Sequence, residues 1–520
     1  MPPTLSYPGV YVQELPSNQH TITGVATSIA AFIGWAPQGP ADEAVMVHSM
    51  SEYQATYGGF VTGVYLAYAV SHFFQNGGQQ AYIVRVLDAA TAKNSSTIWP
   101  DGTGNVTLWA SSPGQWGDSL KLTITLASAN RFSLLVQLAG PNNQMTTLES
   151  YSDLSVTTTD PRYFVNVIDS DSDYLTFIPP GGTQVPIAPL APAANAPPNY
   201  LTFANGNAGT QLYPGDPGMA FEALVTVMPP SPAISALSTV TFDLLCVPGE
   251  TDKATLGGLQ NFCFSNRAFL IVDAPQFATQ KLLLQNGPYG TNGAATTPLA
   301  GASSHASYSA YYFPWVLAPD PAAGGRTAAF PPSGAVAGLY ASTDTNRGVW
   351  KAPAGIATSL SQVLGPTVSL NDALQGDLNP LAVNCLRTFR TSGTVIWGAR
   401  TLDGADALGS QWKYVPVRRL ALYIESSLYV GTQWIVFEPN DEPLWGQIRM
   451  SVGTFMQGLF LQGAFAGTTR QAAYFVKCDG ENNPASSVAL GVVNILVGFA
   501  PLDPAEFVVI QIQQIAGQTS

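Results

Sequence analysis

The chain has 520 residues, 46% of them apolar but only 10% charged, with 20 Lys or Arg against 33 Asp or Glu and a formal charge of −13. Such a length predicts roughly three domains with ample core, and the apolar content excludes disorder for the bulk of the chain. So few cations, with no basic run, leave little to displace phosphate counterions, which excludes direct nucleic-acid binding. The charge deficit, against about 25% in an average globular chain, points instead to a surface partly covered by other subunits. Gly (49) and Pro (40) predict many turns and short strands. Cys246, Cys263, Cys385 and Cys478 form no CxxC pair and read as buried apolar groups in a reducing compartment. His20, His48, His72 and His305 are equally scattered, so no metal and no cofactor is expected.

In chain order, Met1 to Pro8 lacks the basic and apolar stretches of a signal peptide, so a soluble cytoplasmic protein is expected. Val10 to Leu15, between Pro8-Gly9 and Pro16-Ser17, is a strand without a partner in hairpin reach and is expected to be an arm. Ser28 to Gly34, Val64 to Phe74 and Ala81 to Leu87 read as strand, helix and strand, with Asn76-Gly77-Gly78 capping the helix. That order favours a parallel sheet covered by helices. From Ala92 to Thr239 the character changes to Thr, Ser, Pro and Gly with short alternating runs such as Leu120–Leu126 and Phe132–Leu138; this predicts an inserted β-rich domain, with Pro179 to Tyr200 as loop.

Buried-type strands resume at Val240–Val247 and Phe269–Asp273, and further strands are expected at Thr394–Gly398, Trp434–Glu438, Ala473–Cys478 and Val492–Gly498. A helix over Val417–Leu428 has Leu420, Ile424 and Leu428 on one face. Another starts near Asp441 with Pro443 in its first turn, lines up Leu444, Ile448, Val452, Phe455 and Leu459, and stops near Gly463 or Gly467. Val488 to Phe499 is shorter than the about 20 residues of a membrane span and is interrupted by Asn494, so no membrane insertion is expected. Glu506 to Gln513 is again an isolated strand, and unpaired strands at both ends of a chain suit pairing with neighbouring subunits.

Catalytic chemistry has a thin basis. Asp273 at a strand end and Ser303, Ser304 and His305 in a later polar loop supply the residue types of a hydrolase triad, but no GxSxG elbow accompanies them. The loop Gly287 to Gly293 has no Lys and reads as a turn, not a phosphate cradle. Arg387, Arg390, Arg400, Arg418 and Arg419 stand out in so uncharged a chain; they suit either interface carboxylates or internal acids such as Asp403, Asp406 and Glu425.

Several segments together resemble contractile tail sheath proteins: Tyr7-Pro-Gly-Val-Tyr-Val-Gln-Glu14, Gly24 to Ala36, Pro331 to Gly338, Arg347 to Ala354, Val395 to Leu402, Val417 to Leu420, Trp434 to Trp445, Phe475 to Asp479, Asn483-Pro484 and Pro504 to Val509. The resemblance implies a sheath subunit of a phage tail or phage-tail-like contractile injection system. It implies an α/β fold: a subtilisin-like core with an inserted β-rich outer domain and extended terminal strand arms. On this reading residues 1–23 are the N-terminal arm, 24–91 the first part of the core, 92–239 the insert, 240–403 the rest of the core, 404–505 a C-terminal domain near an inner tube, and 506–520 the C-terminal arm.

The implied activity is mechanical and not enzymatic: copies stack as rings around a tube and contract to drive it through a target envelope. Implied partners are self in a helical hexameric-ring sheath, the inner tube protein, and baseplate and terminal cap proteins, with assembly in the cytoplasm and residence in a virion or phage-tail-like particle. Val10, Tyr11, Val12, Phe507, Val508, Val509 and Ile510 are the expected strand-exchange residues. Gln447, Arg449, Gln457 and Gln462, facing away from the Leu444 stripe, are the expected tube contacts. An α/β hydrolase-like enzyme using Asp273 and His305 and a non-contractile lattice or shell protein are the alternatives.

Overall fold

The computed structural model describes residues 20–100, 106–128, 130–140, 144–183, 194, 200–215, 221–288 and 303–509, so the strand expected at Val10–Leu15, most of the 179–200 loop and residues beyond Val509 lie outside it. The chain divides into two compact units: residues 27–347 with 352–418, and residues 1–26, 348–351 and 419–520. The division falls within the helix Val415–Gly431.

The larger unit is organised by an eight-stranded sheet. Its strands lie in the order Gly393–Ile396, Val383–Phe389, Ser309–Phe313, Phe269–Asp273, Leu244–Cys246, Ala30–Gly34, Ala81–Arg85 and Ala44–Val47. The central six are parallel; the first and last are antiparallel edges. Phe269–Asp273, Ala30–Gly34 and Ser309–Phe313 are buried throughout, which is why the first two read as continuous apolar runs and not as alternation. The run at Val240–Val247 shortens to Leu244–Cys246, because the amides of both Asp243 and Leu244 are drawn to the carbonyl of Ile29 before regular pairing begins.

Covering helices include Leu66–Gln75, Lys253–Asn266 and Ser333–Arg347. The first and last pack closely enough that a β-carbon at Gly334 would come within 2.1 Å of the Ala69 carbonyl oxygen, so only glycine fits there. Asp252 accepts the Thr255 amide at 2.8 Å and caps the second.

The described residues between 92 and 208 contain two four-stranded antiparallel sheets. One contains Leu120–Leu126, Arg131–Ala139 and Met145–Ser155; the other contains Ala92–Ile98 and Thr107–Pro113. Alternate residues Leu120, Leu122 and Ile124 face Phe132, Leu134 and Val136 in a core closed by the helix Phe164–Asp171 and by Trp99 and Phe177. Trp99 lies 5.1, 5.4 and 5.9 Å from the rings of Phe164, Phe177 and Phe132.

The smaller unit is built on the helices Val415–Gly431 and Glu442–Leu461. Asp441 accepts the Leu444 amide at 3.2 Å, Pro443 stands in the first turn, and Leu444, Ile448, Val452, Phe455 and Leu459 are buried as their spacing requires. The chain leaves this helix through Gly463 at φ +78. The expected strand at Trp434–Glu438 is absent. Gln433–Ile435 is instead a 3-10 turn, the Val436 and Glu438 amides bond back to the Gln433 and Ile435 carbonyls, and Phe437 has φ +73. Four strand-prone residues followed by a glutamate did not outweigh these local turns, and among the described residues no strand pairs with them.

Candidate functional site

The two halves of the catalytic reading are held apart. Asp273 ends its strand, whereas His305 precedes the adjacent parallel strand Ser309–Phe313 at its start, so the residues flank opposite ends of the sheet, about 13 Å of strand apart. Asp273 is buried and accepts the Gly249 amide at 2.9 Å, the Ser333 amide at 2.8 Å and the Ser333 hydroxyl at 2.7 Å. Burial without a cation pushes its carboxyl up to about 6. It holds a loop and the start of the helix Ser333–Arg347, where a carboxylate suits the exposed amides. His305 stacks on Phe264 at 3.8 Å, and its Nδ1 lies 2.9 Å from Asn261 Oδ1 and 3.4 Å from Ser304 Oγ. Nucleophile and orienting group would therefore share one ring nitrogen, whereas a triad needs them on opposite nitrogens.

Open α/β sheets bind ligands outside the strand ends where the strand order reverses. Here that point lies between Ala30–Gly34 and Leu244–Cys246, and a small pocket there is lined from within the chain by Trp35, Tyr65, Pro248 and the buried Leu212 and Phe221. Nearby Glu250 is buried, its Oε1 accepting the Asp252 amide at 2.6 Å while Oε2 has no hydrogen-bond partner among the described residues. Burial, with Glu222 and Asp252 near, pushes its carboxyl up to about 7. Nothing in the sequence singles out Glu250, since its burial depends on segments far apart in the chain.

The arginines are largely engaged internally. Arg400, fully buried, donates to Asp406 Oδ1 and to the Asn379 carbonyl, both at 2.9 Å. Arg387 reaches Asp372 and Gln375, and Arg418 donates to the Tyr308 hydroxyl at 2.8 Å while lying over the rings of Tyr308 and Trp412.

The smaller unit is different. Tyr474–Lys477 and Leu496–Phe499 pair only with each other, and no third strand joins them among the described residues. One face closes the core through Tyr474; Phe475 and Leu496, each 53% exposed, are left bare. An isolated two-stranded sheet is marginal, so its open edges and apolar residues are the most conspicuous unmet pairing capacity in the described chain.

Phe507, Val508 and Val509 are exposed and have no strand partner among the described residues, while Val10, Tyr11, Val12 and Ile510 lie outside them. Residues 20–26 run along the helix Val415–Gly431. Gly24 faces Tyr423 so closely that a β-carbon would overlap the phenol oxygen, the Val25 amide donates to Ser427 Oγ at 3.2 Å, and His20 stacks on Trp434 at 3.9 Å. Of the residues expected at a tube, Arg449 donates to Glu442 at 2.6 Å and to the Cys478 carbonyl, and Gln457 accepts the Tyr474 hydroxyl at 2.9 Å. Those two fasten helix to hairpin, whereas Gln447 is half-buried and Gln462 exposed.

The described residues thus offer a crevice lined by the chain's own side chains, acids held in structural bonds and apolar residues left in solvent on the hairpin. Residues 223–402 match the phage tail sheath protein central domain and residues 408–515 the phage tail sheath C-terminal domain. The chain belongs to the phage tail sheath family. It is 27% identical over 181 residues to a prophage major tail sheath protein of Pseudomonas aeruginosa, covering 34% of this chain and 44% of that one. It is 27% identical over 161 residues to the tail sheath protein of Vibrio phage KVP40, covering 30% and 22%. The matched stretches thus span less than half of either relative.

The fold is similar to that of the sheath of an extracellular contractile injection system, PVC, in its contracted state, with a TM-score of 0.58, 23% identity and 99% of each chain covered. It is also similar to the sheath tail protein Lin1278 of Listeria innocua, with a TM-score of 0.60, 12% identity, and 93% and 94% covered. No described helix is long and apolar enough to cross a membrane.

Proposed function

We propose that this chain is the structural subunit of a contractile sheath that polymerises around an inner tube and contracts to drive the tube through a target envelope. The observation that carries the reading is the two-stranded sheet that no third strand joins among the described residues, in a chain whose sequence predicts strands at Val10–Leu15 and Glu506–Gln513. Val10, Tyr11 and Val12 from one neighbour and Phe507, Val508, Val509 and Ile510 from another add to that sheet, linking copies by backbone hydrogen bonds that tolerate reorientation. The larger unit is the subtilisin-like core, and residues 92–239 form an outward-facing insert. Hexameric rings assemble in the cytoplasm and take baseplate and terminal cap proteins as partners. Gln447 and Gln462 are offered to the tube, while Arg449 and Gln457 position their helix against the hairpin. Nothing in this mechanism calls for catalysis.

The test is truncation. Removing residues 1–20, or ending the chain before Glu506, leaves a folded protein that no longer sediments as polymer. Normal tubes from both truncations would sink strand exchange.

A further inference from the structure

We infer that Arg85 is a positioning residue: its guanidinium fixes residues 36–39, and through them the angle at which the β-rich segment stands on the parallel sheet. Arg85 ends the strand Ala81–Arg85, and the chain then crosses to the β-rich segment, whose first strand begins at Ala92. Its side chain turns back to the loop that leaves the neighbouring strand Ala30–Gly34. There Nε donates to the Ala36 carbonyl at 2.8 Å and Nη1 to the Gly39 carbonyl at 2.6 Å. The other side of that loop meets the β-rich segment. The Gly39 amide donates to Ser112 Oγ at 3.2 Å in a buried contact, and a β-carbon on Gly114 would come within 2.5 Å of the Pro37 carbonyl oxygen, so backbone lies against backbone. Gln38 ties the same loop to the helix Met50–Tyr57 through the Ala55 carbonyl at 3.2 Å.

The two chain crossings do not settle the angle by themselves. Asp88 Oδ2 accepts the Thr91 hydroxyl at 2.7 Å, and the Thr210 amide donates to Thr91 Oγ1 at 2.9 Å, so the outgoing and returning segments are clasped to each other. Such a clasp joins two segments yet leaves them free to swing together about a few residues, and a contact off their axis stops the swing. Residues 36–39 supply it.

The cost of the arrangement indicates what it is for. Arg85 is fully buried, its bonds go to carbonyls and not to a carboxylate, and its Nη2 has no hydrogen-bond partner among the described residues. An apolar side chain would serve packing at least as well, because a buried cation gives up hydration for partners that replace it only in part. What a guanidinium adds is a rigid planar fork that holds two carbonyls at a set separation. The β-rich segment is thereby carried with the sheet as one body.

Spin labels on cysteines introduced at Ser152, in the β-rich segment, and at Lys281, on the helix Gln280–Asn286, read the angle as a distance distribution. Both positions are exposed and the four native cysteines are buried, so labelling is selective. Doubly labelled full-length chains are diluted into unlabelled protein, which keeps the reading within one chain whatever the state of assembly. The parent should give one narrow distribution. Arg85→Met and Ser112→Ala should each broaden it about twofold or more, and Arg85→Lys, which keeps the charge and loses the fork, should fall between. Trp99→Ala loosens the core of the β-rich segment without touching residues 36–39 and should leave the distribution narrow. A lowered melting temperature with the narrow distribution retained in Arg85→Met would make Arg85 a packing residue and overturn the inference, as would equal broadening by Trp99→Ala. Should Arg85→Met not fold, Ser112→Ala decides: the parent's distribution in that variant would refute the mount.

Discussion

The β-rich segment of the larger unit and the hairpin of the smaller one are both antiparallel, yet they end differently. In the first, eight strands and a helix enclose Trp99, Phe132, Phe164 and Phe177, so the apolar faces cover each other. In the second, two strands cover one face only and leave Phe475 and Leu496 in solvent. The contrast teaches that a closed pair of sheets covers its own apolar faces, whereas two strands alone leave apolar residues in solvent.

Breaking the closed side should cost most. Trp99→Ala removes a fully buried ring that touches three other aromatics and should lower unfolding free energy by about 3–5 kcal/mol in chemical denaturation. A loss below about 1 kcal/mol would mean that the sandwich does not depend on this cluster.

A pH series tests the parallel-sheet part of the larger unit. Glu250 at about 7 and Asp273 at about 6 both lie above ordinary carboxylate values, so the folded state keeps protons that the unfolded chain releases. Their contribution is full below about pH 4 and is lost as pH rises through 6 and then 7. Glu250→Gln should remove part of that decline and raise stability at pH 8 by on the order of 1–3 kcal/mol, read as melting temperature across pH 5–8. Parallel curves for variant and parent would clear Glu250 of the role.

On the open side, Gly24→Ala forces Tyr423 aside and should cost about 1–3 kcal/mol in the smaller unit, seen as a lower melting transition. The smallest effect on folding belongs to Leu496→Ser. Its side chain is half bare, so stability should shift by no more than about 0.5 kcal/mol while sedimenting polymer falls sharply. Equal losses of stability for Leu496→Ser and Trp99→Ala would erase the distinction between the two regions.

What sequence alone determined was whatever depends on near neighbours. Asp441, Pro443 and the Leu444 to Leu459 stripe specify a helix because capping and i, i+4 spacing act within a few residues, and Leu120–Leu126 and Phe132–Leu138 alternate because each strand buries one face. Motif order over the chain also identified the sheath family, since enough segments matched together.

Only the tertiary structure decided what depends on distant segments. Trp434–Glu438 is mostly strand-prone, but among the described residues no strand pairs with it, and local turn bonds prevail. Asp273 and His305 are close in number yet lie at opposite ends of parallel strands, a separation set by topology alone. Arg449 reads as an exposed cation on a helix, and it is the hairpin, folded back from 29 residues downstream, that takes its donor. Burial and pairing are properties of surfaces brought together, and a one-dimensional pattern records only which residues could enter them, not which of them meet.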